Sequence, residues 1–292
     1  MRLLPFDYAA RNLGRNPLRT ALGVGGAALV VLLVALSAGF VRGMSQSLIS
    51  SGSAHNVLLL GAGSEESVER SQLPFKSAAI AAASLEGVRT RNGEPYLSPE
   101  VHLGLSVTRS AEAPQGRLTV VRGVTPRAFL VHSAVELVEG RPPRAGADEL
   151  LLGARLAEEL ELAPGACLGT KLWLDGRAWT VVGRFVAPGT VLEAELWTAL
   201  TDLQVVAQRD TLSCVVMTLD PTRAELADVE AFAAQRLDLE LVAVSEQAYY
   251  AGLDAFFRPI RLMVLLTAAL IACGGVLGGL NVSYALFASR SA

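Results

Sequence analysis

Residues 21–41 read ALGVGGAALVVLLVALSAGFV, a run without one charged side chain. A helix rises 1.5 Å per residue, so this run spans roughly 31 Å, the thickness of a bilayer's hydrocarbon core. A second run, LMVLLTAALIACGGVLGGL, occupies residues 262–280, and its apolar character continues to Ala288. A helix of this length on a soluble domain carries a polar stripe. Neither run has one, so both read as membrane spans, over 18–41 and 260–288. The fold class follows: a membrane protein with two transmembrane α-helices flanking one domain, residues 42–259.

Composition agrees. Of the 292 residues 51% are hydrophobic and 18% charged, against about 25% charged in soluble domains. A cleaved signal peptide has an apolar region of about 7–15 residues, so the longer first run reads as a retained anchor. Arg2, Arg11, Arg15 and Arg19 precede it, while Arg42 alone closely follows. The positive-inside rule therefore puts the N-terminus in the cytoplasm and residues 42–259 outside. The second span follows the rule poorly, with Arg258 and Arg261 at its outer end and Arg290 at its inner end.

The middle section holds 19 of the 25 basic residues and 27 of the 28 acidic ones, a net charge of −8. Such a surface repels phosphate backbones, which excludes nucleic acid as the expected partner. Cys273 falls in the second span. Cys167 and Cys214 would face an oxidising compartment, but two cysteines in so large a domain make no disulfide framework. Two unpaired, buried thiols are the preferred reading, and a disulfide stays open.

Leu3, Phe6, Ala10 and Leu13 recur at helical spacing with arginines on the other faces, so residues 1–17 read as an amphipathic elbow helix on the inner leaflet. Asn16-Pro17 then caps and starts the span. Between the spans, strands are expected at Val57–Leu60, Val101–Thr108, Leu118–Gly123 and Leu150–Leu152, and helices at Pro74–Leu85 and Ala154–Leu160. Leu168–Leu174 and Ala178–Phe185 flank Asp175-Gly176, the strongest short-range hairpin signal. Ser213–Leu219, Thr222–Leu237 and Glu240–Val244 read as β-α-β, and a helix over Glu246–Phe257 feeds the second span. The pattern is an α+β domain in two interleaved parts.

No motif carries chemistry. Gly165–Lys171 is one residue short of a phosphate-binding loop, with Thr170 and Lys171 in the wrong order, and reads as a turn. His55, His102 and His132 lie far apart with no second ligand at helical or turn spacing. Each is expected on the surface or as a satisfied core residue, and no metal or cofactor site is expected. No Gly-x-Ser-x-Gly elbow occurs. Glu65-Glu66 and Glu158-Glu159 read as solvated faces, and Asn281-Val-Ser283 lies at a cytoplasmic span end, where no glycan is added.

The second span carries two interleaved small-xxx-small pairs, Gly274 with Gly278 and Gly275 with Gly279; Gly23 and Ala27 form a weaker pair in the first. Such a face lets another helix approach closely in lipid. No ionisable group lies near the middle of either span, where a solute or proton path needs one. The spans read as a mechanical link between the two sides.

The run Asp7-Tyr8-Ala-Ala-Arg11-Asn12-Leu13-Gly-Arg15-Asn-Pro17-Leu-Arg19-Thr20 resembles the inner-leaflet elbow that opens MacB/FtsX-like ABC transporter permeases. Gly140-Arg141-Pro142, Asp148–Gly153, Leu162–Gly165, Trp179–Gly183 and Glu195-Leu-Trp197 resemble, in that order, the same family's extracytoplasmic core of the MacB periplasmic type. The resemblance implies a non-catalytic permease subunit of the bacterial inner membrane. It would transmit movement from a separate cytoplasmic ABC ATPase to lipid, lipoprotein, peptide or drug substrates outside. A second permease copy or homologue and a periplasmic adaptor are implied as further partners. Members of the family have four spans and an ATPase-coupling helix after the second. Here that segment would start at Phe287 and Arg290, residues 289–292 would be a cytoplasmic stub, and the chain reads as truncated or split relative to the family. The alternative from a different class is a two-span protein whose outer domain senses a ligand or scaffolds other membrane proteins.

Overall fold

The computed structural model describes residues 17–112 and 116–291, so the expected elbow helix over 1–17 lies largely outside the described residues. Two compact units emerge: residues 1–45 with 255–292, and residues 46–254.

The first unit holds the two helices long and apolar enough to cross a membrane. Helix α1 runs Pro17–Ser51, ten residues past the expected end of the span. The extra turns, from Arg42 on, carry Arg42, Ser45, Gln46, Ser47 and Ser50, so a helix continues where the lipid-facing composition stops.

The second unit is the α+β domain. In chain order it contains β1 (Asn56–Gly61), β2 (Leu73–Pro74), α2 (Lys76–Ser84), β3 (Thr90–Arg91), β4 (Glu94–Pro95), β5 (Leu97–Thr108), β6 (Arg117–Val124) and α3 (Ala128–Val131). These are followed by β7 (Glu136–Gly140), β8 (Glu149–Gly153), α4 (Ala154–Glu159), β9 (Lys171–Leu174), β10 (Arg177–Val186), a 3₁₀ turn (Val191–Ala194), β11 (Leu196–Ala199) and α5 (Leu200–Ala207). The chain then forms β12 (Thr211–Leu212), β13 (Cys214–Thr218), α6 (Leu226–Gln235), β14 (Leu241–Ser245), α7 (Glu246–Phe256) and α8 (Arg258–Ser291).

One ladder runs β14-β1-β13-β5-β6-β11-β8-β10-β7. It divides at the long strand β5. Leu97–Glu100 pairs with β13, and Val101–Val107 pairs with β6. Strand β9 pairs with β10 and also with the end of β5, so β5, β6, β11, β8, β10 and β9 close into a six-stranded ring. The chain makes β1 first, leaves for the ring, and returns to lay β13 and β14 on either side of β1, antiparallel to it. The β-α-β read from 213–244 is therefore split: β13 and β14 are parallel, with β1 between them.

Hairpin β9–β10 turns at Asp175-Gly176, whose φ angles of 47° and 80° both lie in the left-handed region that such a two-residue turn requires. Helix α6 begins four residues later than the sequence periodicity indicates. Asp220 accepts from the amide and hydroxyl of Thr222, which holds residues 220–224 in a turn. Glu225 and Asp228 then form a capping box that starts the helix. The main core joins both parts of the sheet, with Leu59, Leu97, Val121, Leu150, Trp179, Leu203 and Val215 all inside it.

Candidate functional site

A chain of buried charged side chains crosses the domain. Arg122 on β6 is 3% exposed and donates three hydrogen bonds to carboxylates. Two go to Glu195, at 2.7 and 2.8 Å, and one to Glu100 Oε2 on β5, at 2.7 Å. The fork-to-fork geometry with Glu195 is the strong form of this pair. Glu195 Oε2 also accepts from Trp197 Nε1 at 2.9 Å, and the Arg122 guanidinium lies 5.6 Å from the Trp197 ring centre. Phe185, Phe129 and His132 pack around the same indole.

Glu100 is fully buried and serves as the hub. Its Oε1 lies 2.7 Å from His132 Nε2, and its Oε2 lies 3.0 Å from His102 Nε2. His132 reaches on to α7, where its Nδ1 is 4.0 Å from Glu246 Oε1. Glu246 Oε2 accepts from the Ser53 amide and from Asn56 Nδ2, both at 2.9 Å. Asn56 also donates to the Val131 carbonyl and accepts from Thr218 Oγ1. Glu246 thus ties together the two segments by which the chain enters and leaves the domain, residues 46–56 and 246–254.

The titration behaviour follows from these contacts. Burial works to raise the pKa of Glu100, but the charges of His132 and Arg122 prevail and hold it well below the usual carboxylate range. Burial works against charge on Arg122 too, yet Glu195 and Glu100 keep it firmly protonated. The two histidines diverge. Burial, then the charge of Arg122, pushes His102 down, so it is neutral and donates to Glu100. Burial opposes charge on His132 as well, but Glu100 outweighs it and raises the imidazole above its ordinary value. Burial raises Glu246.

Could the cluster hold a metal? Glu100, His102 and Cys214 bring one oxygen, one nitrogen and one sulfur donor within 4.8 Å of one another. However, the Arg122 guanidinium sits on the same Glu100 oxygen, so a cation there would face a permanent positive charge. Burial, then Glu100, keeps the Cys214 thiol protonated. The residues fit a closed hydrogen-bonded ion network better than a metal centre.

Sequence reading missed this site because its members come from separate strands, a helix and the connections between them, and charged residues are expected outside. One local signal exists: Glu100 and His102 alternate on β5, at the spacing that puts two side chains on one face of a strand. His55 is exposed. Cys167 and Cys214 are both free and buried. Gly165–Thr170 connects by turns to Lys171, the first residue of β9, with Gly165 and Gly169 at positive φ.

In the second span, Gly275 faces α1: a Cβ there would meet Val30 Cγ2 at 2.9 Å. Among the described residues, nothing lies within 4 Å of such a Cβ at Gly274 or Gly278. Phe287 and Arg290 fall in the last turns of α8.

The fold and its bounding helices define an α+β domain set between two helices long and apolar enough to cross a membrane. A model of the MacB-like periplasmic core domain matches residues 20–235, and the chain belongs to this family of MacB/FtsX-like ABC transporter permeases. The periplasmic region of MacB from Actinobacillus actinomycetemcomitans shares the fold, with a TM-score of 0.52 at 10% identity over 70% of this chain and 95% of that one. The extracellular domain of the noncanonic ABC-type transporter YknZ from Gram-positive bacteria scores 0.48 at 12% identity, covering 65% of this chain and 99% of that one. No curated protein matches the chain.

Proposed function

We propose that this chain is a non-catalytic permease subunit that carries movement between a cytoplasmic ABC ATPase and the space outside the inner membrane. The observation that carries this reading is a MacB-type core domain bounded at both ends by helices of bilayer length. Its substrates would be lipids, lipoproteins, peptides or drugs handled at the cell envelope. The N-terminus would lie in the cytoplasm and residues 42–259 outside. Gly274 and Gly278, with open space beside each, favour further helices packed against α8, from a second copy or a homologous permease, since small residues are what allow close approach in lipid. Coupling to the ATPase would begin around Phe287 and Arg290, and an adaptor outside the membrane would complete the assembly.

The test is affinity purification of the full chain from its native membrane in mild detergent, with and without crosslinking. Enrichment of an ABC ATPase is expected. Repeated recovery without one, crosslinked or not, would overturn the reading.

A further inference from the structure

Glu246 meets the domain's sheet twice: directly, through Asn56 of β1, and through a histidine that can change its charge. His132 Nε2 is 2.7 Å from Glu100 Oε1 on β5, while its Nδ1 is 4.0 Å from Glu246 Oε1 on α7. Each neutral tautomer leaves one ring nitrogen with a lone pair aimed at a carboxylate oxygen. Only the doubly protonated ring presents a donor to both. The charged groups facing it from the elements around are Glu100 on β5, Arg122 on β6 and Glu246 on α7, with the Trp197 ring of β11 at 5.5 Å. With Glu195 held on the same guanidinium, three carboxylates against one Arg122 leave room for one more cation.

What Glu246 holds gives this bridge its meaning. Its other oxygen accepts from the Ser53 amide and Asn56 Nδ2, just beyond the end of α1, while Glu246 itself opens α7. Close packing at the same point leaves no slack: a Cβ on Gly52 would lie 2.8 Å from Gln247 Cα. Ser51, the last residue of α1, accepts from the Val191 amide at 2.8 Å, a second tie to the domain.

We propose that His132 is the bolt of a protonation-controlled latch that fastens residues 46–56 and 246–254 to the sheet of the domain. Under the permease reading, on which this consequence rests, the latch sets how stiffly the domain grips both chain segments that lead to the spans, and alkaline conditions loosen that grip. The direction follows from linkage. The folded state holds the His132 proton more tightly than the unfolded chain, so the stabilisation is complete below about pH 6.5 and fades as pH rises through the higher folded value. His102 acts in the opposite sense: its contribution is present above about pH 6.5 and is lost only on acidification, so of the two imidazoles only His132 shapes the alkaline limb, to which the buried Cys214 thiol adds at its upper end.

The experiment is hydrogen exchange on the full chain in lipid nanodiscs between pH 6.5 and 9, with rates corrected for intrinsic chemistry. Peptides covering 46–56 and 246–254 should lose protection across this range, about tenfold for each unit by which the folded pKa exceeds the unfolded one. The ring strand β11 should not change. His132→Gln should abolish the pH dependence and leave both peptides in the loosened state. Glu246→Gln, which keeps an acceptor for Ser53 and Asn56, should flatten the profile without disturbing the ring and supplies the control where His132→Gln does not fold. A wild-type profile that is flat, or one that survives Glu246→Gln, would overturn the latch. No ATPase enters this measurement. A flat profile therefore removes the latch alone, and failure to recover an ATPase removes the permease reading alone.

Discussion

At the scale of single residues, Arg122 decides most. It is the only cation donating to both Glu100 and Glu195 among the described residues, and all three side chains are almost wholly out of water. A buried ion pair is weak evidence for stability, yet removing one partner strands the others as uncompensated charges. Arg122→Met should therefore cost about 3–5 kcal/mol in chemical denaturation. Arg127→Ala removes an ion pair to Glu94 whose two side chains are both largely exposed, and should cost no more than about 1 kcal/mol. Equal losses for the two would show that Arg122 is not the centre of the network. Glu149 offers a titration counterpart. A hydrogen bond from Arg141 holds its carboxyl down to about 2 from an ordinary value near 4.5. A depressed acid contributes stability above its unfolded pKa and loses it as pH falls through the folded value. Unfolding midpoints of the wild type should thus decline between pH 4.5 and about 2 by more than those of Glu149→Gln; parallel curves for the two would remove this pair from the acid response.

At the scale of elements, the turns are where the sequence speaks most directly and where substitution tests it. Gly140 ends β7 at φ 76°, and an added Cβ would lie within 3 Å of Val182 O and Gly183 Cα, backbone atoms of β10. Gly146 has a similar φ of 78° but open space around it. Both substitutions to alanine incur the left-handed penalty of about 1–2 kcal/mol. Gly140→Ala adds on the order of 1–3 kcal/mol of overpacking, because backbone cannot yield as a side-chain tip can. Thermal unfolding of the two variants should separate them in that order, and the reverse order would mean that β7 is not seated on β10 as described. The same comparison shows what was legible. Asp175-Gly176 announces its hairpin because both of its residues must take positive φ. The spans announce themselves by length alone. Strand β11 gives no such signal, since its four residues, Leu196–Ala199, are buried on both faces and do not alternate. Helix α6 was legible in kind but not in its start, because the competing turn at Asp220 depends on side-chain oxygens that hydrophobic periodicity does not register.

At the scale of the whole molecule, long-range pairing is what local reading could not supply. Glu100, Arg122, His132, Glu195 and Glu246 meet only because β5 and β6 are neighbours, β11 lies beside β6, and α7 follows a strand that returns to the other side of β1. No window of the sequence contains more than two of them at contact spacing, so the composition of each segment points to solvent. Orientation, by contrast, is a whole-chain property that was argued from arginines alone, and it can be measured directly. The native cysteines are silent reporters: Cys167 and Cys214 are buried in the domain and Cys273 sits within the second span. Leu237, between α6 and β14, is 82% exposed, so Leu237→Cys places a reactive thiol on the domain surface at little structural cost. With the outer membrane permeabilised and the inner membrane intact, a membrane-impermeant maleimide should label this variant and leave the wild type unlabelled. Labelling only after the inner membrane is broken would place residues 42–259 in the cytoplasm. That outcome would reverse the positive-inside argument and remove the compartment in which a permease of this family would act on its substrates.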